Sequence, residues 1–476
     1  MRYRLWAAAL LMLSACSMAP VYKQPEVQTP AAYRESAGWV KAMPADGLER
    51  GAWWKIFHDP RLDKLEGMVE ASNQNLKAAL ARYDQASAEV RAARAMFFPD
   101  LTVDASATRN QLSGTIANTS PRLLYNTVSA GADLSYEIDI WGRVRNSVAA
   151  GTALAQASAD DLAVLALSLH AEMADAYFML GASDVAQDIL EKTVETNRTY
   201  LEIVRQRYDG GVAAESDVLQ ADLQVQNSLT QATEMRLQRA GLEHAIALLA
   251  GLAPGDFKMA PVSLPEVPPK AETGIPSVLL QRRPDIAAAE RRVAAANAQV
   301  GVAEAAWFPD FNLAAMLGFS SSSVPQLFTE PSRVWSLGPS VAAPVFDGGK
   351  IRAMTDEAKA VYEQTVAGYR QTVLNAYGEV EDNLAALHRL EQEDRSQTAA
   401  VSAARRQLAQ AFNRYQGGLA TYLDVAVAQN GELQARLAAV SITARRLTAS
   451  VHLVKAVGGG WHAEDGAVAE NPAPSP

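Results

Sequence analysis

Four segments of the chain alternate apolar and polar residues with a period of two. In residues 127–140 every even-numbered position is apolar and every odd-numbered position is polar or glycine. Residues 101–109 alternate in the same way, and residues 311–320 and 334–345 are weaker versions of the pattern. A period of two over such lengths predicts β-strands with one apolar and one polar face.

Long helical stretches surround the predicted strands. The proline-free runs 143–208 and 350–415 each correspond to roughly 100 Å of continuous α-helix. Ala-rich stretches at residues 62–96 and 277–306 predict a further helix before each strand pair, and a Phe-Pro-Asp corner ends each of them. Proline disfavours helical backbone in the residue before it, so the corner is a natural helix end.

A glycine pair follows each of the longest runs, and the predicted chain then turns back. The four turn residues are Gly210, Gly211, Gly417 and Gly418. Glycine is the preferred residue just after a helix end. Returning helices are predicted over residues 216–250 and 422–457, so each half of the chain contains a long antiparallel helical hairpin. Helices of this length pack side by side in coiled-coil fashion.

The two halves are copies of one unit. Phe98-Pro99-Asp100-Leu101 recurs as Phe-Pro-Asp-Phe 210 positions later, and Tyr208-Asp209-Gly210-Gly211 recurs as Tyr-Gln-Gly-Gly 207 positions later. Two motifs aligned at nearly the same offset indicate an internal duplication. The two offsets differ by three residues, so the non-helical part of the second copy is shorter than that of the first by three residues.

The length of the alternating segments fits membrane-spanning β-strands, which need about 9–11 residues with apolar side chains toward lipid. A soluble sandwich also has alternating strands, but four strands between such long helices provide no second sheet. Four strands cannot close a barrel, and an open edge in lipid leaves backbone groups unpaired. The chain must therefore assemble, and strand number alone permits a dimer or a trimer.

Charge and cysteine usage narrow the possible partners. The net charge of −10 argues against nucleic acid. The single cysteine, Cys16, follows a charged and then apolar N-terminal stretch ending Leu-Ser-Ala-Cys, which is typical of a secretory signal peptide. That ending resembles a lipobox, so Cys16 is the predicted lipid-attachment site. No metal site and no cofactor other than this covalent lipid are predicted, and no transmembrane helix is expected after the signal peptide.

Further motifs resemble those of one family. These are residues 20–25 (Pro-Val-Tyr-Lys-Gln-Pro), 53–57 (Trp-Trp-Lys-Ile-Phe), 281–286 (Gln-Arg-Arg-Pro-Asp-Ile) and 457–461 (Val-Gly-Gly-Gly-Trp). Together they resemble the TolC-like outer-membrane factors, in the NodT-type (OprM-like) lipoprotein branch.

The resemblance implies a mixed, mainly α fold in an outer-membrane efflux exit duct. A homotrimer would combine a twelve-stranded outer-membrane β-barrel with an α-barrel tunnel of helical hairpins reaching into the periplasm. A periplasmic adaptor and an inner-membrane pump would dock at its tip. The predicted boundaries are a signal peptide (1–15), a lipid-anchored N-terminal segment (16–60), repeat 1 (61–270), repeat 2 (271–461) and a disordered tail (462–476).

The resemblance also implies a gate where the hairpins turn. By position, Tyr415 resembles the gate tyrosine, Asp217 its carboxylate acceptor and Asp424 an acid that three subunits bring to the axis. Ala420 and Val427 stand where relatives often carry polar residues, which favours apolar closure at Leu423 and Val427. The simpler alternative is that both acids are favourable helix-start residues.

Acidic residues on the polar faces of the predicted strands are further candidate site residues. The acids expected to face the lumen are Asp104, Asp133, Glu137 and Asp139.

A non-pore periplasmic adaptor lipoprotein would have one hairpin and small soluble β-domains rather than a duplicated unit. A protein-secretion duct is a rival within the channel class. The sequence contains no His-Glu-x-x-His, Gly-x-Ser-x-Gly or phosphate-binding glycine loop, so no enzyme is predicted.

Overall fold

The computed structural model describes residues 17–27, 33–34, 52–113, 124–265, 267–269 and 283–459. The predicted signal peptide, the lipid-attachment residue Cys16 and the predicted tail lie outside the described residues. The chain divides into two compact units: one combines residues 1–26, 81–160 and 287–371, and the other residues 27–80, 161–286 and 372–476. Each unit therefore draws on both sequence copies.

The first unit contains a four-stranded antiparallel sheet. Its strands are β1 (Asp100–Gln111), β2 (Leu124–Glu137), β3 (Asp310–Ser321) and β4 (Arg333–Ala342), in the order β1-β2-β3-β4. All four predicted strands are confirmed, although the second and the fourth each end three residues earlier than the alternation implied. At the base of the sheet the two copies meet, because the Trp141 indole donates to the carbonyl of Pro309 at 2.9 Å and stacks on Phe308.

One face of this sheet is apolar and uncovered. Val103, Leu317 and Trp335 are 81%, 60% and 70% exposed. All three lie on the face opposite the one that carries Asp104 and Asp133. A face of this kind is unfavourable in water but suits contact with lipid.

The helices confirm the duplicated hairpins. Their bounds are α1 (Pro60–Ser72), α2 (Gln74–Ala95), α3 (Arg143–Asp209), α4 (Glu215–Leu249), α5 (Pro284–Ala305), α6 (Lys350–Gln416) and α7 (Tyr422–Ala456). Helices α3 and α6 have 67 residues each, and α4 and α7 have 35 each. By length and composition alone, α3 contains one window apolar enough to cross a membrane, a criterion that buried helices of soluble proteins also meet.

The single helix expected over residues 62–96 is wrong, because the chain breaks at Asn73. The backbone of Asn73 is extended, with φ −61° and ψ 126°. Its side-chain oxygen accepts hydrogen bonds from the backbone N–H groups of Asn75 and Leu76, at 2.9 and 3.1 Å, and so begins α2. Its amide nitrogen donates to the carbonyl of Leu249 at 2.9 Å, at the end of α4. Asparagine at a helix start is strongly favoured.

In the second unit a short N-terminal 3-10 helix, Trp53–Phe57, packs on α3. Phe57 contacts the Phe178 ring at 4.7 Å between ring centres, and Trp54 stacks on His170 at 4.4 Å. His170 Nδ1 lies 2.7 Å from Glu66 Oε2 on α1, and Glu66 is fully buried. The conspicuous tryptophan pair is therefore a packing element that joins α1 to the long helix.

Candidate functional site at the hairpin turns

Both hairpins turn through the same backbone geometry. In the first, the N–H of Val212 donates to the carbonyl of Arg207 at 2.8 Å, and the N–H of Gly211 donates to the carbonyl of Tyr208 at 2.9 Å. Gly211 has φ +72°, a left-handed conformation that glycine adopts without steric cost. These are the bonds of a Schellman motif, so the chain leaves α3 at a fixed angle. The second turn repeats both bonds, with Gly418 also at φ +72°.

Beneath the turns lies an aromatic and aliphatic cluster built from both hairpins. Tyr415 and Tyr422 pack edge to face at 5.6 Å between ring centres. They are buried together with Leu201 and Val204 of α3, and the ring of Tyr200 stacks on Phe412 at 4.6 Å. Aromatic pairs in such geometry add about 0.5–1.5 kcal/mol beyond burial. The cluster therefore binds the end of the first hairpin to the end of the second.

Arg207, at the end of the first hairpin, makes polar contacts with the end of the second hairpin. Its guanidinium carbon lies 4.8 Å from the centre of the Tyr415 ring. Its Nη1 donates a hydrogen bond to the carbonyl of Gln416, at 3.2 Å. That carbonyl belongs to the last residue of α6, where unpaired carbonyls and the helix dipole favour a cation.

The predicted gate pair, Tyr415 and Asp217, is adjacent but not hydrogen-bonded. Among the described residues the Tyr415 hydroxyl has no hydrogen-bond partner. Burial, followed by the nearby Asp217 carboxylate, raises the pKa of Tyr415, and Arg207 partly offsets this rise. Within one chain, Arg207 is the charged residue in contact with the Tyr415 ring, and the gate roles of Tyr415 and Asp217 stay predictions.

Asp424 lies at the start of α7 and caps it. Its Oδ2 accepts hydrogen bonds from the Thr421 N–H and from the Thr421 hydroxyl, both at 3.0 Å. Together with the reciprocal bond this forms a capping box. The helix-start interpretation of this acid therefore has a structural basis, and its role in an axial ring stays a prediction. Leu423 and Val427, one turn apart on α7, are 56% and 59% exposed.

A buried polar layer lies deeper between the hairpins. Asn197 of α3 donates to the carbonyl of Gln224 and to the hydroxyl of Ser228, each at 3.3 Å. Its own carbonyl accepts a hydrogen bond from Gln429 of α7 at 3.0 Å. A small cavity of about 10 Å³, about the size of one water, adjoins these residues. Asn197 therefore ties both helices of the first hairpin to the second hairpin.

The four predicted lumen acids fall into two groups in the first unit. Asp104 lies opposite Gly131, and Asp133 lies opposite Thr102, so the two carboxylates share the polar face of β1 and β2. Glu137 instead forms a two-point ion pair with Arg143. Asp139 lies beyond the end of β2.

At that position Asp139 begins helix α3. Its carboxylate accepts hydrogen bonds from the backbone N–H groups of Val144 and Arg145, at 3.1 and 2.9 Å, and pairs with the Arg145 side chain. Of the four acids, Asp104, Asp133 and Glu137 lie on strands, and Glu137 is paired with Arg143; all four lumen roles stay predictions.

Comparison with known proteins decides the family. The family model described as outer membrane efflux protein matches residues 66–252 and 275–459. The chain belongs to this family. One matched range lies within each predicted repeat, 61–270 and 271–461.

Individual relatives agree along nearly the whole chain. The probable efflux pump outer membrane protein TtgC of Pseudomonas putida is 31% identical over 468 residues, which cover 97% of this chain and 96% of TtgC. The pyoverdine export outer membrane protein OpmQ of Pseudomonas aeruginosa is 32% identical over 464 residues and 96% of each chain. The solved outer-membrane channel OprN superposes with a TM-score of 0.86 at 31% identity, covering 94% of this chain and all of OprN.

The comparisons confirm the predicted function and location. This member of the outer membrane efflux protein family is an outer-membrane channel component of an efflux pump. TtgC is named as an efflux pump protein and OpmQ as a pyoverdine export protein, and the structural neighbour OprN is described as an outer-membrane channel.

Proposed function

We propose that three copies of the chain form a passive exit duct that has no enzymatic activity of its own. Each copy contributes four strands to a twelve-stranded barrel and two hairpins to a periplasmic tunnel. A lipid on Cys16 would anchor each copy to the outer membrane, and several acyl chains hold such an anchor firmly. The observation that carries this proposal is the sheet, whose apolar face is exposed and whose outer strands β1 and β4 have no further partner strand among the described residues.

The subunit number follows from pore size. Eight strands give a barrel nearly filled by its own side chains, whereas twelve leave a water-filled lumen. Polar residues on one face of every strand, including Asp104 and Asp133, suit such a lumen. A trimer is therefore favoured over a dimer for a conduit.

The duct is closed at the hairpin turns in its resting state. The shared aromatic cluster and the Arg207 contacts with Tyr415 and Gln416 hold the second hairpin against the first. Exposed Leu423 and Val427 would meet their copies in the other subunits and seal the axis by apolar contact. The acids Asp217 and Asp424 would add a negative ring that favours cations.

Opening requires partners at the same end. Val212 and Leu419, in the two turns, are 68% and 74% exposed, which provides apolar docking points for a periplasmic adaptor. An inner-membrane pump would supply the cargo through that adaptor. Docking would compete with the contacts between hairpins and shift the tips to the open state.

Influx into living cells tests the proposal without knowledge of the cargo. The rate at which a periplasmic β-lactamase hydrolyses external nitrocefin reports how freely the outer membrane is crossed. Cells with the wild-type chain should show little more hydrolysis than cells without it, and Arg207→Ala should raise the rate. Arg414→Ala, at the equivalent exposed position of the second copy, should leave it unchanged. Equal rates in all strains would show that loss of the Arg207 contacts does not open the duct, and would contradict closure by those contacts.

A further inference from the structure

The apolar face of the sheet ends at a polar boundary. From the strand ends nearest the helices outward, four or five successive residues on this face are apolar in every strand. The next residue on the same face is polar in all four strands, and these residues are Arg109, Asn126, Ser321 and Arg333. A change from apolar to polar side chains on every strand marks the limit of a lipid-facing band.

The two arginines lie at the same distance from the helix end of the sheet. Arg109 is nine residues beyond Asp100, where β1 begins, and Arg333 is nine residues before Ala342, where β4 ends. At about 3.3 Å per residue and a strand tilt of about 40°, nine residues rise about 23 Å. The apolar band of an outer-membrane barrel is about 25 Å tall. In the proposed duct, whose hairpins reach into the periplasm, both arginines therefore lie at the outer leaflet.

Both guanidinium groups are accessible to a ligand. Arg109 is exposed and has no acidic partner among the described residues. Asn126, directly opposite Arg109 on β2, adds an amide donor beside it. The Arg333 side chain is 55% exposed, and its Nη2 lies 3.3 Å from Oε1 of Glu330, whose side chain is 80% exposed. Exposed ion pairs contribute little to stability, so an anionic ligand can replace Glu330 at small cost.

Aromatic rings lie beside the arginines at the same end of the sheet. In the connection between β3 and β4, two hydroxyl groups donate to the carbonyl of Gln326, at 2.7 and 2.8 Å. The connection packs Phe328 against Phe319 at 5.5 Å between ring centres, and Phe328 remains 73% exposed. Trp335, two residues from Arg333 on the apolar face, is 70% exposed. Aromatic girdles flank the apolar band of outer-membrane barrels, so these rings agree with an interfacial position.

This end of the sheet is basic although the chain as a whole is acidic. Residues 106–132 and 316–337 contain three arginines, one glutamate and no lysine or aspartate, whereas the net charge of the chain is −10. Arginine on a lipid-facing surface is costly at the midplane of the bilayer and nearly without cost at its interfaces. Its planar guanidinium matches phosphate in a bidentate geometry. Phosphorylated head groups at the membrane surface are therefore complementary to this boundary.

We infer that Arg109 and Arg333 bind the phosphate groups of phosphorylated glycolipids in the outer leaflet, whose acyl chains lie on the apolar face of the sheet. This inference rests on the proposed duct, which places that face in the membrane. It adds a non-covalent lipid ligand, separate from the predicted lipid on Cys16 and at the opposite end of the sheet from the helices. Because the two arginines lie on opposite edge strands, they contact separate phosphate groups.

Retention of lipid by the full-length protein tests the inference. Wild type and variants are inserted into phosphatidylethanolamine liposomes containing a minor fraction of bisphosphoryl lipid A, extracted in mild detergent and analysed by native mass spectrometry. The wild type should retain lipid A, and Arg109→Gln/Arg333→Gln should retain about fivefold less, the factor expected for one basic residue at a membrane surface. Retention of phosphatidylethanolamine should be equal in both proteins.

Two further variants make the comparison specific. Arg94→Gln/Arg352→Gln removes two exposed arginines from the helices next to the other end of the sheet and should retain as much lipid A as the wild type. Arg109→Lys/Arg333→Lys keeps the charge without the bidentate geometry and should retain an intermediate amount. The lysine variant also provides the readout if the glutamine variant fails to insert.

The outcomes separate this inference from the duct itself. Equal retention of lipid A by the inserted wild type, glutamine variant and lysine variant would overturn the lipid site and leave the duct standing. Equal losses from the outer and the control variants would show general charge attraction, and would also overturn the site. Displacement of lipid A by added inorganic phosphate would assign the arginines to a free anion instead. Failure of the wild type to insert would overturn the duct and, with it, this inference.

Discussion

The guanidinium of Arg207, at the end of the first hairpin, lies 4.8 Å from the centre of the Tyr415 ring at the end of the second. The equivalent pair, Arg414 and Tyr208, is built from the same residue types 207 positions away, yet Arg414 is exposed and Tyr208 is 44% exposed. Of these two equivalent pairs, only Arg207 and Tyr415 form a contact on a buried tyrosine ring, and that contact joins the two hairpins.

Loss of the Arg207 charge should loosen the end of α6. A cation–π contact is worth about 0.5–2 kcal/mol, and the bond to Gln416 adds about 1 kcal/mol. Arg207→Met keeps the apolar stem and should speed hydrogen exchange in the last two turns of α6 by about tenfold. Arg414→Met, which removes an exposed arginine in the same sequence context, should leave exchange there unchanged. Equal effects of the two variants would show that burial does not decide the contact.

Tyr415→Phe should have little effect on the closed state. The Tyr415 hydroxyl is buried without a hydrogen-bond partner among the described residues, so its removal breaks no bond. The thermal midpoint should stay unchanged or rise slightly, because an unpaired buried hydroxyl costs about 1–3 kcal/mol. A clear loss of stability would indicate that the hydroxyl gains a partner in the assembled protein, and Asp217, whose charge raises the pKa of Tyr415, is the candidate acceptor.

Asn197→Ala should weaken the tie between α3 and α7. The substitution removes the acceptor of the Gln429 amide and leaves that buried group unpaired. The expected cost is about 1–3 kcal/mol. Faster hydrogen exchange should extend through both hairpins around this layer. Asn227→Ala, which lines the same small cavity without one of these bonds, is the matched control.

The buried pair of Glu66 and His170 makes stability depend on pH. Burial raises the pKa of Glu66 to about 9 and lowers the pKa of His170 to about 4. The folded chain therefore keeps a proton on Glu66 that the unfolded chain loses above about pH 4.5, which favours unfolding as pH rises toward 9. His170 has the opposite effect on stability, because it is neutral in the folded chain above about pH 4 and protonated in the unfolded chain up to about pH 6.5. Above about pH 6.5 the histidine is neutral in both states and no longer offsets the effect of Glu66.

Stability should accordingly fall between about pH 6.5 and about pH 9. Glu66→Gln does not titrate, and its amide can donate to His170, so the variant should lose this decline while matching the wild type near pH 6.5. Thermal midpoints at the two pH values measure the difference. An unchanged decline in Glu66→Gln would assign it to another group.

Gly301→Ala should displace the segment that follows Cys16. A Cβ at Gly301 would come within 2.5 Å of the Ala19 side chain and 2.6 Å of the Asn146 amide. Overpacking of this kind costs about 1–3 kcal/mol, and limited proteolysis should cut residues 17–26 faster. Gly67→Ala, in a helix with nothing within 4 Å of the added carbon, should instead be neutral or stabilising by up to about 1 kcal/mol.

Much of the fold was predictable because periodicity is local. The turns followed from the Gly-Gly pairs, and the lengths of the long helices followed from the proline-free runs 143–208 and 350–415. The break at Asn73 did not, because its partner Leu249 lies far away in sequence. Both copies have an arginine at the equivalent position before the turn, Arg207 and Arg414. The sequence does not distinguish them, because what differs is the burial of the tyrosine that each could contact: Tyr415 is buried and Tyr208 is exposed. Asp139 was misassigned to a strand because the alternation continues past Glu137, where the chain already caps α3.

The most direct test of the account is the single-channel current of the purified, lipidated protein in a planar bilayer, compared between wild type and Arg207→Ala. A conduit closed at its hairpin turns predicts a small, cation-preferring wild-type current that grows in the variant. Equal currents would keep the pore and place the closure elsewhere, with the exposed Leu423 and Val427 next in line. No current from well-folded protein inserted in the membrane would contradict the central claim that the assembled chain forms a pore.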